Sequence, residues 1–294
     1  MGMKKQNKKL AFSLIELSIV ILIIGVLVVG ITKGARIIKN SKLRAAQSLT
    51  TGSPVSSTEG ILAWYETTLD KSFISSEAVD TPITGTGTLS IWNDINPQTT
   101  TPNNATQNTG SDKPRYMANT INGLPVVNFD GISDFFSYDG SKLGNSDYTV
   151  FVVEQRRGNG INNYFMTGTG GSANSNLVLG YRDNTTLTFA QLANDFDAPT
   201  IPGYSTPITR IHSYRFSSGI GKDYFINGVN QFSQNDVNAK TPLTSYNGAL
   251  IGKSNNWGVF YKGDIGEIII FTRYISSSER TNIEKYLKTK WGVK

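Results

Sequence analysis

Cysteine is missing from all 294 residues, and histidine occurs once, at His212. Without thiols there are no disulfides, no thiolate metal sites and no cysteine nucleophile. A lone imidazole has no second histidine with which to build a zinc site or a catalytic pair. The chain also lacks a P-loop, a GxSxG elbow and an HExxH helix, which are the common sequence marks of phosphate-handling, acyl-transfer and zinc-hydrolase chemistry. On these absences the chain is expected not to be an enzyme. Charge is sparse, at 17% of residues, while aromatics reach 11% and glycine 29 positions. That balance suits a turn-rich β protein, because aromatic side chains fit pleated surfaces and glycine supplies the turns. A chain this long has the volume for a core that needs no disulfides.

The formal charge of +6 and pI near 9.3 invite a nucleic-acid reading until the charge is located. Residues 1–50 hold nine Lys and Arg against the single acid Glu16, a net +8. The remaining nineteen basic and twenty-one acidic residues leave −2 for the rest. The basicity therefore flanks an apolar run, and the bulk of the chain has no global attraction for phosphate backbones. Arg156-Arg157 is too short a basic pair to change this. No nucleic-acid partner is expected.

From Leu10 to Ile31 the chain is apolar except for Ser13, Glu16 and Ser18. As a helix, 22 residues would extend about 33 Å, enough to cross a bilayer's hydrocarbon core. The lysines before the run predict a cytoplasmic N-terminus. A carboxylate within such a helix costs about 2.5–3.5 kcal/mol to insert, so Glu16 implies a partner. No proline or cleavage region interrupts Thr32–Leu49, and Ile31, Ala35, Ile38, Ala45 and Leu49 form a stripe at helical spacing. One helix of about 38 residues is predicted. Gly30 and Gly34 make a small-xxx-small pair suited to close helix packing.

The segment Lys8-Lys-Leu-Ala-Phe-Ser-Leu-Ile-Glu16 followed by that run resembles the cleavage and methylation segment of type IV pilins and of type II secretion pseudopilins. The resemblance implies a prepilin leader at 1–11, cleavage by a prepilin peptidase between Ala11 and Phe12, and N-methylation of Phe12. The family usually has glycine where this chain has Ala11. It further implies a transmembrane and assembly helix at 12–50 and an assembly role for Glu16, with other pilin-like subunits and the inner membrane as partners. The precursor would sit in the inner membrane with its head in the periplasm, and the assembled form in a pilus or pseudopilus. The physics agrees. Cleavage creates an ammonium at Phe12, one helical turn from Glu16, and pairing across subunits removes two costly groups from hydrocarbon together.

Residues 51–60 have linker composition, and 61–294 read as one domain of many short strands. Asn122-Gly123, Asp130-Gly131, Asp183-Asn184 and Asn227-Gly228 mark turns, the last in a strong hairpin context. Residues 97–112 are polar enough for a long surface loop. Ser276-Ser-Ser-Glu279 is a capping box opening a short C-terminal helix with Ile283, Tyr286, Leu287 and Trp291 on one face. No βαβ alternation occurs, so the expected fold is mainly β: a long N-terminal α-helix, then an antiparallel β-sandwich, then a short helix. The stretches 61–66, 91–94, 121–131 and 263–271 resemble concanavalin-like LamG jelly-roll domains of bacterial surface proteins. That likeness implies a fold and, as candidate partners, a glycan or a surface protein, with adhesion or surface recognition as the role.

Among single residues, Trp257 follows Ser254-Asn-Asn in a loop, where an exposed ring could stack on a ligand. Trp64, Trp92 and Trp291 read as core or rim. Asp130 and Asp134 could ligate calcium, the one cofactor considered, although a tight turn explains them more simply. Asp195 and Asp197 read as loop acids and His212 as a strand residue. Asp264 and Glu267 are paired carboxylates of the kind glycosidases use. A pilin-like subunit, expected to be a minor one because its head is large, leads the functional readings. A secretion pseudopilin and a membrane-tethered glycan-active enzyme are its alternatives.

Overall fold

The computed structural model describes residues 14–78, 87–198 and 207–294. Ala11, Phe12 and the rest of the leader lie outside them. Helix α1 runs Leu14–Thr51, 38 residues without a break. Of the described residues, those up to Lys42 form one compact unit and those from Leu43 onward another. Within the first, apolar side chains point outward on every side of the helix; Leu14, Leu17, Ile21, Leu22, Val26 and Ile31 are all more than half exposed. Judged on the described residues alone, no helix is long and apolar enough to cross a membrane.

The second unit is an antiparallel β-sandwich. One sheet has eight strands. From edge to edge it runs Val229–Gln234, Gly221–Ile226, Thr209–Ser217, Tyr148–Arg156, Lys262–Phe271, Leu124–Asp130 and Arg115–Ile121. Ile61–Glu66 joins beside Lys262–Phe271, whose free edge is shared: residues 262–265 pair with Leu124–Asp130 and residues 267–271 with Ile61–Glu66. The other eight-stranded sheet orders Asp195–Asp197, Leu187–Gln191, Leu177–Tyr181, Asn163–Thr167, Ala249–Ile251, Phe136–Tyr138, Ala105–Thr106 and Ile91–Trp92. Asn122-Gly123 and Asn227-Gly228 close two-residue hairpins with both φ angles positive, the conformation that matches strand twist and favours Asn-Gly.

Two cores explain why the central strands read as unbroken apolar runs. Val150, Val152, Ile268 and Ile270 face the other sheet, joining Tyr65, Trp92, Phe165 and Tyr214. Phe151, Val153, Ile269 and Phe271 face the opposite way, against Ala46, Trp64, Ile283, Leu287 and Trp291. Successive residues alternate sides, and here both sides are covered.

The cover is helix α2, Ser277–Trp291. Its capping box is complete: Glu279 N–H donates to Ser276 Oγ at 3.2 Å, and Ser276 N–H donates to Glu279 Oε2 at 2.7 Å. Gly292, at φ 67°, ends it. Trp291 packs so closely on Gly266 that a Cβ there would meet the indole ring at 2.6 Å. Beneath α2 the Glu267 carboxylate accepts from Trp64 Nε1 (2.8 Å), Tyr286 Oη (2.8 Å), Trp291 Nε1 (2.9 Å) and Lys290 Nζ (2.9 Å). Lys290 also donates to Glu66 Oε2 at 3.0 Å, and all three charged side chains are fully buried.

Three sequence expectations are corrected here. Residues 51–60 are not a free linker: Pro54–Ser57 is a turn of 3-10 helix, and Ser53, Val55 and Thr58 are buried. The stripe ending in Ala45 and Leu49 is displaced, because Ala46 and Thr50 are buried while Ala45 and Ile38 are exposed and Leu49 packs at the margin. Asp195 and Asp197 are not loop acids; they lie on an edge strand and pair with Arg182 at 2.8 and 3.0 Å.

Candidate functional site

At one end of the sandwich three segments surround a pocket of about 610 Å³, lined by Ile132, Arg157, Asn159, Ile161, Phe260 and Lys262 among others. The first segment leaves the strand ending at Asp130. Asp130 Oδ1 accepts the N–H groups of Ile132 (2.7 Å), Ser133 (3.0 Å) and Asp134 (3.3 Å), while Asp134 Oδ2 accepts from Asp130 N–H at 2.9 Å. Both residues proposed for calcium are thus occupied in holding a turn. Among the described residues no three His, Asp or Glu side chains gather to hold a metal ion. Burial, with the neighbouring Asp130 carboxylate, pushes Asp134 up to about 7.

The second segment, 157–162, is fixed from inside by Arg156. Its guanidinium lies 4.4 Å over the Tyr181 ring and donates to the carbonyls of Gly160 (2.8 Å) and Asp183 (3.2 Å) and to Asn184 Oδ1 (3.2 Å). Arg157 turns the other way. Its Nε donates to Asp264, whose other oxygen accepts from Asn128 Nδ2 at 2.7 Å. Burial raises the Asp264 carboxyl above the usual range despite those donors.

The third segment is the hairpin of Lys253–Ser254 with Val259–Phe260. Trp257, at its tip, is 42% exposed and leans on Tyr164 with ring centroids 5.3 Å apart. Lys253 Nζ sits 4.3 Å over the Phe135 ring, which steadies the hairpin base. Lys262 enters the pocket through a slot between two glycines: a Cβ on Gly131 or on Gly158 would meet Lys262 Cβ at 2.7 Å. Its carbonyl accepts from the N–H groups of Arg157 (2.9 Å) and Gly158 (3.0 Å), locking the second segment to the strand.

Behind this end lies a charged network that sequence reading missed. Glu154, fully buried, accepts from Tyr181 Oη (2.6 Å) and Tyr261 Oη (2.5 Å), and its Oε1 lies 3.0 Å from His212 Nε2. His212 is the strand residue expected, with Nδ1 2.7 Å from Tyr224 Oη. Burial works against the charge of Glu154, yet His212 and the tyrosine hydroxyls hold its carboxyl below the ordinary range. No substrate reaches atoms so enclosed. The structure does not bring Asp264 and Glu267 to one site: Asp264 serves the pocket, Glu267 the helix α2. Trp64, Trp92 and Trp291 are buried. Glu16 lies in the first turn of α1.

A second pocket, about 380 Å³, is lined by Asn96, Asn103, Asp139 and Lys142. Its polar groups satisfy one another: Asn103 Nδ2 donates to Asp139 O (2.7 Å), Asp139 N–H to Asn103 Oδ1 (3.0 Å), and Asn96 Oδ1 accepts from Gln98 N–H (2.9 Å). In the larger pocket the side chain of Asn159 and the Lys262 ammonium have no partner among the described residues, and the Nη1 of Arg157 donates to none. Unspent donors are what a ligand needs.

No family model matches the sequence, and no curated protein does. The fold is similar to solved structures. Trypanosoma rangeli sialidase in complex with 2,3-difluoro-KDN matches with a TM-score of 0.54 and 12% identity, over 87% of this chain and 40% of that one. The same sialidase in another structure gives 0.53 and 12%, over 79% and 33%. A mutant GH54 α-L-arabinofuranosidase soaked with 4-nitrophenyl α-L-arabinofuranoside gives 0.52 and 14%, over 69% and 51%. This chain spans a third to a half of those proteins. At such identity the likeness shows the fold alone. The expectation that the chain is not an enzyme is withdrawn, because solved proteins with a similar sandwich include glycosidases and the missing motifs are not the marks of that chemistry.

Proposed function

We propose that the β domain recognises carbohydrate at the pocket beside Trp257, and that the N-terminal helix makes the chain a pilin-like subunit that displays it. The observation that carries the first half is an exposed indole next to a pocket where the Asn159 amide, the Lys262 ammonium and the Nη1 of Arg157 are unspent donors. Sugars present apolar ring faces to aromatics and hydroxyls to such donors. The sandwich shared with glycosidases supports the same direction, and a concanavalin-like or LamG-like class is the finer reading of it.

The second half rests on sequence: the Lys8–Glu16 motif and the apolar run to Ile31. The described residues by themselves give no spanning helix. The sequence from Leu14 to Ile31 nevertheless carries Glu16 as its single charge, and α1 is continuous through it. A helix apolar all round is covered by lipid or by other helices. Inner membrane before assembly and neighbouring subunits afterwards would provide that cover. Mass spectrometry should find mature protein beginning at Phe12, and an intact N-terminus would remove the pilin half.

Glycan cleavage is the second reading, favoured by Asp264, a carboxyl raised by burial beside the pocket wall. The test uses full-length protein on immobilised polysaccharides, with released reducing ends assayed in the same incubation. Binding should weaken about fivefold in Trp257→Ala, the loss of roughly 1 kcal/mol of stacking. Retention of no polysaccharide would remove the carbohydrate reading, and sugar release that needs Asp264 would establish the second.

A further inference from the structure

We infer that the pocket selects acidic sugars, those carrying one carboxylate or one sulfate ester, over neutral ones. This rests on the carbohydrate reading and narrows it to a ligand class. Two cations, Arg157 and Lys262, line the pocket. The one acid in contact with them, Asp264, lies beneath the wall, almost fully buried, and is engaged by Arg157 Nε and Asn128. The pocket therefore presents one positive charge in excess.

The cations are also positioned. Asp264 holds the Nε of Arg157 and Gln155 Oε1 lies 3.5 Å from its Nη2, leaving Nη1 as the donor aimed at a carboxylate or sulfate oxygen. The slot between Gly131 and Gly158 confines the Lys262 stem, so its ammonium arrives at reduced entropic cost. Bulkier residues at either glycine would collide with that stem. A lysine meant only for solubility needs no such slot. Around the cations, Asn159 and Asn163 offer amides to hydroxyl or acetamido groups. Ile132 and Ile161, 75% and 71% exposed, offer apolar edges to a sugar ring. A cavity of about 610 Å³ admits a mono- or disaccharide unit.

The experiment titrates full-length protein with three trisaccharides: galacturonate, a sulfated galactose and neutral galactose. Either acidic sugar should bind at least tenfold tighter than the neutral one, and added salt should erode the difference. Which acid binds better identifies the anion. Lys262→Met keeps the apolar stem in its slot and removes the charge. It should cost roughly tenfold in affinity for the acidic sugar, the usual weight of a charge-assisted hydrogen bond, and cost the neutral sugar clearly less, so that the preference for the acid narrows. Lys262→Gln, which keeps a polar end, gives the same reading if Met disturbs the fold. Equal binding of acidic and neutral trisaccharides overturns the inference and leaves the carbohydrate reading standing. Failure of all three sugars, together with failure on polysaccharides, removes both.

Discussion

Replacing Lys290 with Met should destabilise the β domain severely, although the two side chains have similar volume. In the wild type the buried ammonium lies 3.0 Å from Glu66 Oε2 and 2.9 Å from Glu267 Oε2. Burial works against ionisation of Glu66, yet Lys290, the hydroxyls of Ser72 and Thr68 and the Leu69 N–H hold its carboxyl below the ordinary range. Burial likewise disfavours the Lys290 ammonium, and the two carboxylates outweigh it, holding its pKa above normal. Removing the cation leaves two enclosed carboxylates, and breaking a buried pair by deleting one partner costs about 3–5 kcal/mol. At about 2–4 °C per kcal/mol for a domain of this size, the melting temperature should fall by roughly 6–20 °C. The pH dependence separates this mechanism from simple mispacking. In the wild type the depressed Glu66 contributes stability that is present above its unfolded pKa near ~4.3 and lost as pH falls through the folded value. The raised Lys290 contributes stability that is complete below its unfolded pKa near ~10.4 and lost as pH rises beyond its folded value. In the variant the stranded Glu66 carboxylate gains by taking up a proton, so the deficit relative to wild type should shrink between about pH 7 and pH 5. Thermal melts followed by circular dichroism across that range make the measurement. A loss below about 1 kcal/mol, or a deficit independent of pH, would refute the reasoning.

Two further outcomes follow from single groups. Asp134, raised to about 7 by burial and by Asp130, favours the folded state when protonated, a contribution complete below its unfolded pKa near ~3.9 and lost as pH rises through 7. Asp134→Asn, which keeps an acceptor for Asp130 N–H, should flatten the fall in stability from pH 4 to 7, and an unchanged slope in denaturant melts would exclude this group as its source. In the proposed pilin-like subunit, Glu16→Ala should leave membrane insertion and cleavage intact but cut filament incorporation at least tens-fold, since an unpaired Phe12 ammonium in a low-dielectric setting costs about 3–5 kcal/mol where burial is complete; wild-type incorporation in a pilus preparation would reduce the helix to a plain anchor.

Much of the sandwich is legible in the letters because local chemistry specifies it. Asn-Gly at 122–123 and 227–228 reads as a hairpin turn, since both positions need positive φ. Ser276–Glu279 reads as a helix start because both halves of its capping box sit within one turn. The errors have equally local causes. Ser, Thr and Pro at 51–60 fit a solvated linker and a buried 3-10 turn alike, and only contact with the domain tells them apart. Ala45 was placed inward in place of Ala46 because adjacent residues lie about 100° apart on a helix. Glu267 reads as a partner of Asp264, and nothing in the letters signals that Glu66, Glu267 and Lys290 meet, since charges are ordinarily read as solvent-facing. Their meeting joins residues more than two hundred positions apart.

The adjacent letters Arg156 and Arg157 show why the site itself had to come from the fold. In sequence they are one short basic pair. A strand sends consecutive side chains to opposite sides, and here the strand also ends between them, at Arg156. Arg156 is drawn inward over Tyr181, and burial lowers its pKa from the usual value. There it ties segment 157–162 to the turn at Asp183 and Asn184. Arg157, released from the ladder, swings to Asp264 and leaves the rest of its guanidinium at the pocket. The first arginine therefore builds the wall on which the second is presented. Exchanging their roles would require a one-residue register slip, which would turn Phe151 and Val153 toward the inter-sheet core and Val150 and Val152 toward α2. Two differently shaped cores on the faces of one strand forbid that slip, so the packing that stabilises the sandwich also selects which arginine faces a ligand.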